Sequence, residues 1–254
     1  MKENILGIKI NAEPFEELMN TVIARLNTDP PKPMVIACAN PHSIINTMKL
    51  NDFFQALNNF DLILPDGAGI VLAAKILGGS IKKRISGPDF FIEFTKLLNA
   101  RGGCSYFFLG STEETLFRIK ERMAREFPNI EVVGTYSPPF TKELYFPEKE
   151  NEKMVEAVNK IKPDILWVGL TAPKQELWIH KNLHRLNVRV IGAIGAAFDF
   201  FAGTKKRSPK IFRKLGLEWL PRLIMEPKRM WRRNFVSTPL FIYYVLKERF
   251  RRRK

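Results

Sequence analysis

Short apolar runs rich in β-branched residues alternate with longer amphipathic segments through the first four fifths of the chain. This alternation is typical of a mostly parallel β-sheet wrapped by helices. We predict strands near Ile5–Ile10, Met34–Cys38, Leu62–Leu64, Ser105–Leu109, Glu131–Gly134, Ile165–Gly169 and Arg189–Ile194. We predict helices over Pro14–Leu26, Pro41–Met48, Gly69–Leu77, Asp89–Asn99, Glu113–Phe127, Glu150–Ile161 and Pro173–Leu186. The predicted fold class is α/β, with a Rossmann-like, mostly parallel sheet flanked by helices in a domain of residues 1–203.

The strand pattern stops after Gly203. The rest of the chain is divided into short pieces by Pro209, Pro221, Pro227 and Pro239, because proline ends or kinks a helix. Each piece has an apolar face and a basic face. We therefore predict a second unit, residues 204–254, that is a basic amphipathic helical appendage.

This appendage holds almost all of the net charge. It contains 17 Lys or Arg and 3 Glu, so it carries +14 of the total of +15. Apolar side chains are interleaved with the charges, notably Trp219, Trp231, Phe235 and the run Phe241–Leu246. A phospholipid leaflet, which is both anionic and apolar, matches this mixture better than DNA does. We expect an anionic membrane surface as a partner, and no nucleic acid.

A nucleic-acid-binding protein is the main alternative, since an arginine-rich tail attracts phosphate backbones. The high apolar content of the tail, and the lack of a helix-turn-helix, RNP or zinc pattern, count against it.

The cysteines and the N-terminus bear on localisation. Cys38 and Cys104 fall inside apolar runs without metal-ligand or CxxC spacing, as expected for a reduced cytosolic protein. Residues 1–7 lack the apolar core of a signal peptide, and the longest uncharged apolar stretch, Val236–Leu246, is far shorter than the roughly 20 residues that span a bilayer. We expect a cytoplasmic protein that is peripheral on the inner face of the cell membrane.

Candidate chemistry follows the strand ends, because ligands of open parallel sheets bind outside the carboxyl ends of the strands. The predicted strands are followed by Asn40, by Asp66 and Gly67, by Gly110 in Gly-Ser-Thr, by Gln175 and by Asp199. Backbone N–H groups at helix starts favour phosphate. A phosphorylated ligand is the natural expectation for this edge.

Several of these residues also have ordinary structural explanations. Pro65-Asp66-Gly67 is a common turn sequence, Asn40 could be only a helix N-cap, and Gly110-Ser-Thr is a weak phosphate signal without a P-loop or GxGxxG pattern. The Pro-rich, aromatic segment Gly134–Thr141 could be a flap over a site or a packed surface loop. No Asp-x-Asp pair is present to hold a metal against a diphosphate, so Arg84 and the arginines of the appendage are the available cations.

A set of motifs, in register and in order from about Ile5 to Arg233, resembles one family. The motifs are Leu64-Pro65-Asp66-Gly67-Ala68-Gly69, Arg84-Ile85-Ser86-Gly87-Pro88-Asp89, Gly169-Leu170-Thr171-Ala172-Pro173-Lys174-Gln175-Glu176, Phe198-Asp199-Phe200-Phe201-Ala202-Gly203, Lys206-Arg207-Ser208-Pro209, Gly216-Leu217-Glu218-Trp219-Leu220-Pro221-Arg222 and Glu226-Pro227-Lys228-Arg229. Together they are similar to those of WecG/TagA/CpsF-type bacterial glycosyltransferases, glycosyltransferase family 26.

The resemblance implies an inverting enzyme that needs neither a metal nor a cofactor and acts at the cytoplasmic face of the membrane. Teichoic-acid members move N-acetylmannosamine from UDP to N-acetylglucosamine on undecaprenyl diphosphate. Asp66 matches the proposed general base, and Arg84 is assigned with it to the catalytic group. The substrate-binding group implied by the match and the strand ends is Asn40, Gly67, Gly110, Gln175, Asp199, Arg222, Arg229 and Arg232. Many members have Thr where this chain has Cys38.

The resemblance leaves three matters open. Relatives use N-acetylmannosamine, N-acetylmannosaminuronic acid or glucose as the sugar of the donor. A catalytically inactive membrane scaffold for polymer synthesis is a further alternative. The apolar face of the appendage could also be buried against a second copy of the chain in a homo-oligomer.

Overall fold

A computed structural model describes residues 1–28, 32–209, 211–212 and 216–252, without the side chain of Arg229. Its centre is a six-stranded parallel sheet of β3 (Met34–Ala39), β4 (Leu62–Pro65), β5 (Cys104–Leu109), β6 (Ile130–Tyr136), β7 (Ile165–Val168) and β8 (Val190–Ala193). The strand order in the sheet is β4-β3-β8-β7-β5-β6. Helices connect these strands. The prediction of an α/β fold with a parallel sheet is confirmed.

The helices of the body lie close to their predicted positions. They are α1 (Phe15–Leu26), α2 (Pro41–Thr47), α3 (Asn51–Asn59), α4 (Ala68–Leu77), α5 (Gly87–Ala100), α6 (Glu113–Glu126), α7 (Glu148–Ile161), α8 (Lys174–Asn182) and α9 (Ala197–Ala202). The side chains of Asn40, Ser86 and Thr112 cap α2, α5 and α6 by accepting backbone N–H groups of the first turn. Two of these caps, Asn40 and Thr112, fix loops that leave the carboxyl edge of the sheet. The sequence did not predict α3 or α9.

Apolar side chains pack on both faces of the sheet. On one face, Val35 and Ile191 are buried with apolar residues of α2, α3, α4 and α8. On the other face an aromatic cluster forms around Trp167, whose ring lies 5.1 Å from that of Phe91, which in turn lies 5.2 Å from Phe201. Because both faces are covered, the strands are continuous apolar runs and not alternating ones.

The N-terminal prediction of one strand over Ile5–Ile10 was wrong. The chain forms a hairpin of β1 (Lys2–Ile5) and β2 (Ile8–Asn11). Leu6 and Gly7 make the turn with φ values of 52° and 88°, a left-handed conformation that Gly7 adopts without strain. The Asn11 side chain accepts the backbone N–H of Ile63, which joins the hairpin to β4 at 2.7 Å.

The appendage is helical, as predicted. It contains α10 (Trp219–Met225), α11 (Pro227–Trp231), a π-helical turn (Arg232–Ser237) and α12 (Thr238–Arg251). Phe241 and Val245 of α12 are fully buried in the same apolar cluster as Ile44 of α2 and Ile70 of α4. The helix therefore shares the core of the body, and the division of the chain at Gly203 stays a prediction. No helix within the described residues is both long and apolar enough to cross a bilayer.

Candidate active site

A cleft of about 1240 Å³ lies at the carboxyl edge of the sheet, between the strand-end loops and the appendage. Seven of the predicted site residues line it: Asn40, Asp66, Gly67, Arg84, Gln175, Asp199 and Arg222. They come from the segments that follow four strands, including the first turns of α8 and α9, from the segment before α5 and from the appendage. The topology therefore brings together residues that are far apart in sequence.

The other three predicted site residues are not among those that the structure shows to line the cleft. Gly110 does not line the cleft; its φ is +105°, and an added Cβ would lie 2.8 Å from the Leu170 side chain. Arg232 is exposed and outside the lining, whereas the neighbouring Arg233 lines the cleft. The side chain of Arg229 is outside the described part of the chain.

Asp66 lies where β4 ends, next to the end of β3. The register pairs Ala39 with Pro65, so the following residues, Asn40 and Asp66, are neighbours. The Asp66 backbone N–H donates to the Ala39 carbonyl at 2.8 Å, and Asn40 Nδ2 donates to Asp66 Oδ2 at 3.5 Å. Asn40 Oδ1 also accepts the Ser43 N–H at 3.1 Å. Asn40 is thus both a helix cap and a neighbour of the carboxyl group.

The surroundings of Asp66 suit a proton acceptor. Burial raises the pKa of its carboxyl group above the ordinary value, and the negative charge of Glu218 adds to this effect. The positive charges of Arg233, Arg84 and Arg222 oppose it. A carboxylate with a raised pKa binds a proton more readily than an exposed aspartate does.

Arginines of the body and the appendage meet at Glu218. Arg84 donates to Glu218 Oε2 at 3.0 Å, and Arg207 lies 3.4 Å from Glu218 Oε1. Arg207 also donates to Asp89 at 2.7 Å, and Ser208 Oγ donates to the Glu218 carbonyl at 2.8 Å. The side chains of Arg84, Arg207 and Glu218 are at most 21 % exposed. This network fixes the start of the appendage beside the cleft.

Comparison with known proteins agrees with this geometry. The model of the glycosyl transferase WecG/TagA/CpsF family matches residues 3–254. The chain belongs to this family. It is therefore a glycosyltransferase, and the resemblance predicted from the sequence motifs is confirmed.

Curated relatives are similar over most of their length. A protein of Bacillus spizizenii is 33 % identical over 234 residues, which are 90 % of this chain and 86 % of the relative. A protein of Staphylococcus aureus is 28 % identical over 246 residues, 97 % of this chain and 92 % of the relative. Both are named N-acetylglucosaminyldiphosphoundecaprenol N-acetyl-beta-D-mannosaminyltransferase.

Cys38 lines the cleft near the end of β3. Burial raises the pKa of its thiol well above the ordinary value, and the negative charges of Asp66 and Glu176 act in the same direction. The side chain is therefore a neutral thiol at neutral pH. Like a hydroxyl, it keeps a hydrogen to donate, although more weakly.

Glu176 also lines the cleft, and the sequence did not single it out as a site residue. It is 2 % exposed in the first turn of α8, beside Gln175, which is 4 % exposed. Gln175 Nε2 donates to Glu176 Oε1 at 2.8 Å. Burial raises the pKa of Glu176 to about 7, although the bond from Gln175 acts in the opposite direction.

Replacing Glu176 by Gln is expected to change how stability depends on pH. An ordinary glutamate has a pKa of 4.5, so the folded protein holds the Glu176 proton more tightly than the unfolded chain does. The protonated group therefore contributes up to about 3 kcal/mol to the free energy of unfolding. This contribution is complete below about pH 4.5 and is lost as the pH rises through about 7. The free energy of unfolding, measured with urea at about pH 5 and about pH 8, should be more favourable to the variant relative to the parent at the higher pH. A pH-independent difference would contradict this expectation.

Asp199 and the Pro-rich segment complete the cleft. Asp199 pairs with Lys205 at 2.6 Å and accepts from Ser111 Oγ at 3.4 Å. Residues 137–141 line the cleft, and Lys174 Nζ donates to the Thr141 carbonyl at 2.6 Å. Phe140 is 89 % exposed. The position of this segment fits a flap at the rim better than a packed surface loop.

Proposed function

We propose that this glycosyltransferase moves N-acetylmannosamine from UDP-N-acetylmannosamine to N-acetylglucosaminyl-diphospho-undecaprenol, with inversion and without a metal. The product would be the linkage unit of wall teichoic acid or of a related surface polymer. The names of the relatives support the substrates. The observation that carries the mechanism is the desolvated carboxyl group of Asp66 at the end of β4, within electrostatic range of three cleft-lining arginines.

Asp66 acts as the general base in this mechanism. It takes the proton of the attacking acceptor hydroxyl, whose oxygen forms a bond to the anomeric carbon of the donor sugar. The bond from that carbon to the UDP oxygen breaks on the opposite face, and UDP leaves with the electron pair. Because the displacement is direct, one carboxylate is sufficient and the configuration inverts.

The arginines stabilise the charge that develops on UDP. Arg84 and Arg222 line the cleft, and Arg222 also lies over the ring of Phe200 at 5.3 Å from its centroid. Fixed cations in a partly desolvated site need no reorganisation when the diphosphate departs. They can supply the stabilisation that a divalent cation supplies in other glycosyltransferases.

We expect transfer to continue in excess EDTA. The chain has no Asp-x-Asp pair, and the cleft has arginine side chains where the diphosphate charge would develop. Initial rates with EDTA, and after addition of Mg²⁺ or Mn²⁺ to the chelated enzyme, test this expectation. An absolute requirement for either metal would show that the arginines are not sufficient.

Arg84→Ala should lower turnover by about tenfold or more, because a fixed cation near the leaving group is lost. Glu218→Gln is the matched comparison, since it breaks the same ion pair but leaves the Arg84 side chain in the cleft. If Arg84 acts on the substrate, the Glu218 variant should be much more active than the Arg84 variant. Equal losses in steady-state kcat would mean that Arg84 only holds the appendage in place.

The membrane part of the proposal rests on the outer surface of the appendage. Ile224, Trp231, Tyr243 and Phe250 are between 57 % and 79 % exposed, among many basic residues. Apolar side chains that enter a leaflet, together with cations that meet anionic lipid, give a peripheral attachment. We propose that the enzyme lies on the cytoplasmic face of the membrane, where the lipid acceptor is present.

The decisive experiment is product identification. Purified protein is incubated with a panel of UDP-sugars and a short-chain polyprenyl-diphosphate acceptor, and the product is identified by mass. The proposal expects one added N-acetylhexosamine with N-acetylmannosamine preferred. Transfer of another sugar would correct the donor. No transfer from any donor would favour an inactive scaffold. In a separate binding measurement, preference for duplex DNA over anionic vesicles at physiological salt would favour the nucleic-acid-binding alternative.

A further inference from the structure

Two buried polar atoms, on neighbouring residues that line the cleft, make no hydrogen bond to any residue that the structure describes. They are Gln175 Oε1 and Glu176 Oε2, on side chains that are at most 4 % exposed. The other polar atoms of the two side chains bond to each other at 2.8 Å. The two side chains thus hold each other in place, and each has one oxygen without a hydrogen bond beside the cleft.

Such an arrangement is unfavourable for an empty protein. A buried polar atom without a partner loses its bonds to water and gains nothing in return. Buried polar groups in proteins are nearly always paired, so an unpaired couple in a cleft points to a ligand that completes it. Asn151 and Asn182 show the contrast: both are buried, away from the cleft, and they bond to each other through both amides.

The position of the pair indicates which part of a donor it would meet. Cys38, Asp66 and Glu176 all line the cleft, and both carboxyl groups act on the Cys38 thiol, so we place them in the same part of the cleft. Asp66 acts on the acceptor oxygen that attacks the sugar in the proposed mechanism. No ion pair to Glu176 is formed within the described residues, whereas the arginines lie around Asp66. A neutral, polar group of a ligand therefore suits Glu176 better than a diphosphate does.

We propose that Glu176, together with Gln175, binds the sugar ring of the donor through hydrogen bonds to its hydroxyl or acetamido groups. Glu176 Oε2 forms a hydrogen bond to the sugar, as donor when the carboxyl group is protonated and as acceptor when it is ionised, and Gln175 Oε1 accepts from the sugar. This assignment makes Glu176 a residue that determines sugar affinity. It rests on the proposed function, since it assumes a UDP-sugar in the cleft.

The test compares binding of UDP-N-acetylmannosamine and of UDP by calorimetry. Glu176→Met keeps the side-chain length and removes both oxygens, so it should weaken UDP-N-acetylmannosamine about tenfold or more and leave UDP within about twofold. Glu176→Gln can still donate and accept, so it should keep sugar-nucleotide affinity within a few-fold. Gln175→Met should show the same split as Glu176→Met and serves if that variant does not fold.

Thermal unfolding without ligand separates a binding role from a structural one. Glu176→Met also removes Oε1, which accepts the Gln175 Nε2–H, so some fall in melting temperature is expected, and a binding role requires the loss of sugar-nucleotide affinity beside it. Asn151→Leu, the control, breaks a satisfied buried pair and should lower the melting temperature while leaving both affinities unchanged. A fall in melting temperature for Glu176→Met with unchanged binding would overturn the inference.

Two further outcomes identify what has failed. If UDP and UDP-N-acetylmannosamine both bind the parent but Glu176→Met weakens them equally, the pair does not meet the sugar and the inference fails alone. If neither compound binds the parent protein, the proposed function fails as well.

Discussion

Asp66→Asn is expected to lower turnover by about 10²-fold or more, the usual scale for the loss of a general base. The Asn amide has the size of the carboxyl group but cannot take the proton from the attacking hydroxyl of the sugar acceptor. UDP binding should persist, because the cations that hold a diphosphate remain. Steady-state rates with the lipid acceptor analogue, and UDP affinity by calorimetry, give the two measurements.

Asp164→Asn is the matched control. Asp164 lies at the opposite edge of the sheet, where it accepts the backbone N–H and the hydroxyl of Ser105 at 2.9 and 2.7 Å. Its replacement should affect stability and leave turnover per folded molecule unchanged. Near-normal turnover of the Asp66 variant would remove Asp66 from the role of base.

The pH profile gives a second test of the same residue. A base must be ionised to act, and burial raises the pKa of Asp66. The acid limb of kcat/KM should therefore lie above the range of an ordinary aspartate and should disappear from the residual activity of the Asn variant.

The sheet could be predicted from the sequence because its strands are buried on both faces. Runs such as Ile165–Val168 are apolar throughout, as expected for strands of a parallel sheet that is covered on both faces. The hairpin was missed because β1 is mostly polar and because Leu6 and Gly7 make the turn without a typical turn sequence such as Asn-Gly. Helix α3 was missed because it begins with Asn51 and ends with Asn59, residues more typical of turns.

Of the candidate site, the sequence could predict only the residues that follow the carboxyl ends of the strands. Asn40 and Asp66 follow paired strands, so their proximity is a consequence of topology. Glu176 was missed because the burial of its carboxyl group, with Oε2 unpaired, depends on packing that no local pattern reports. Arg233, and not Arg232, lines the cleft within a π-helical turn, which contains more residues per turn than an α-helix and shifts the facing side chain.

Replacing both Arg222 and Arg233 by Glu should lower turnover by about 10²-fold or more. Both arginines line the cleft and lower the pKa of Asp66, so the change removes two cations and places two anions near the departing UDP. Lipid-vesicle binding should change much less, because the other basic residues of the appendage remain.

The run Arg251 to Lys254 provides the opposite case. Its replacement by Glu should weaken binding to anionic vesicles, since each Lys or Arg near such a leaflet contributes roughly 1 kcal/mol, and the effect should shrink at high salt. Turnover of a water-soluble acceptor should be nearly unchanged. Vesicle co-sedimentation and initial rates, measured on both variants, separate the two functions of the appendage.

Point variants of the full chain are the right form for this test. Removal of residues 204–254 would also remove Phe241 and Val245 from the core, so a loss of activity could come from unfolding. If the appendage closes over the diphosphates, anionic vesicles at saturating lipid should raise the turnover of the parent and of the Arg251-to-Lys254 variant. They should not raise the turnover of the Arg222/Arg233 variant. Equal turnover by that double variant and the parent would mean that the appendage attaches the enzyme to the membrane without contributing to the chemistry.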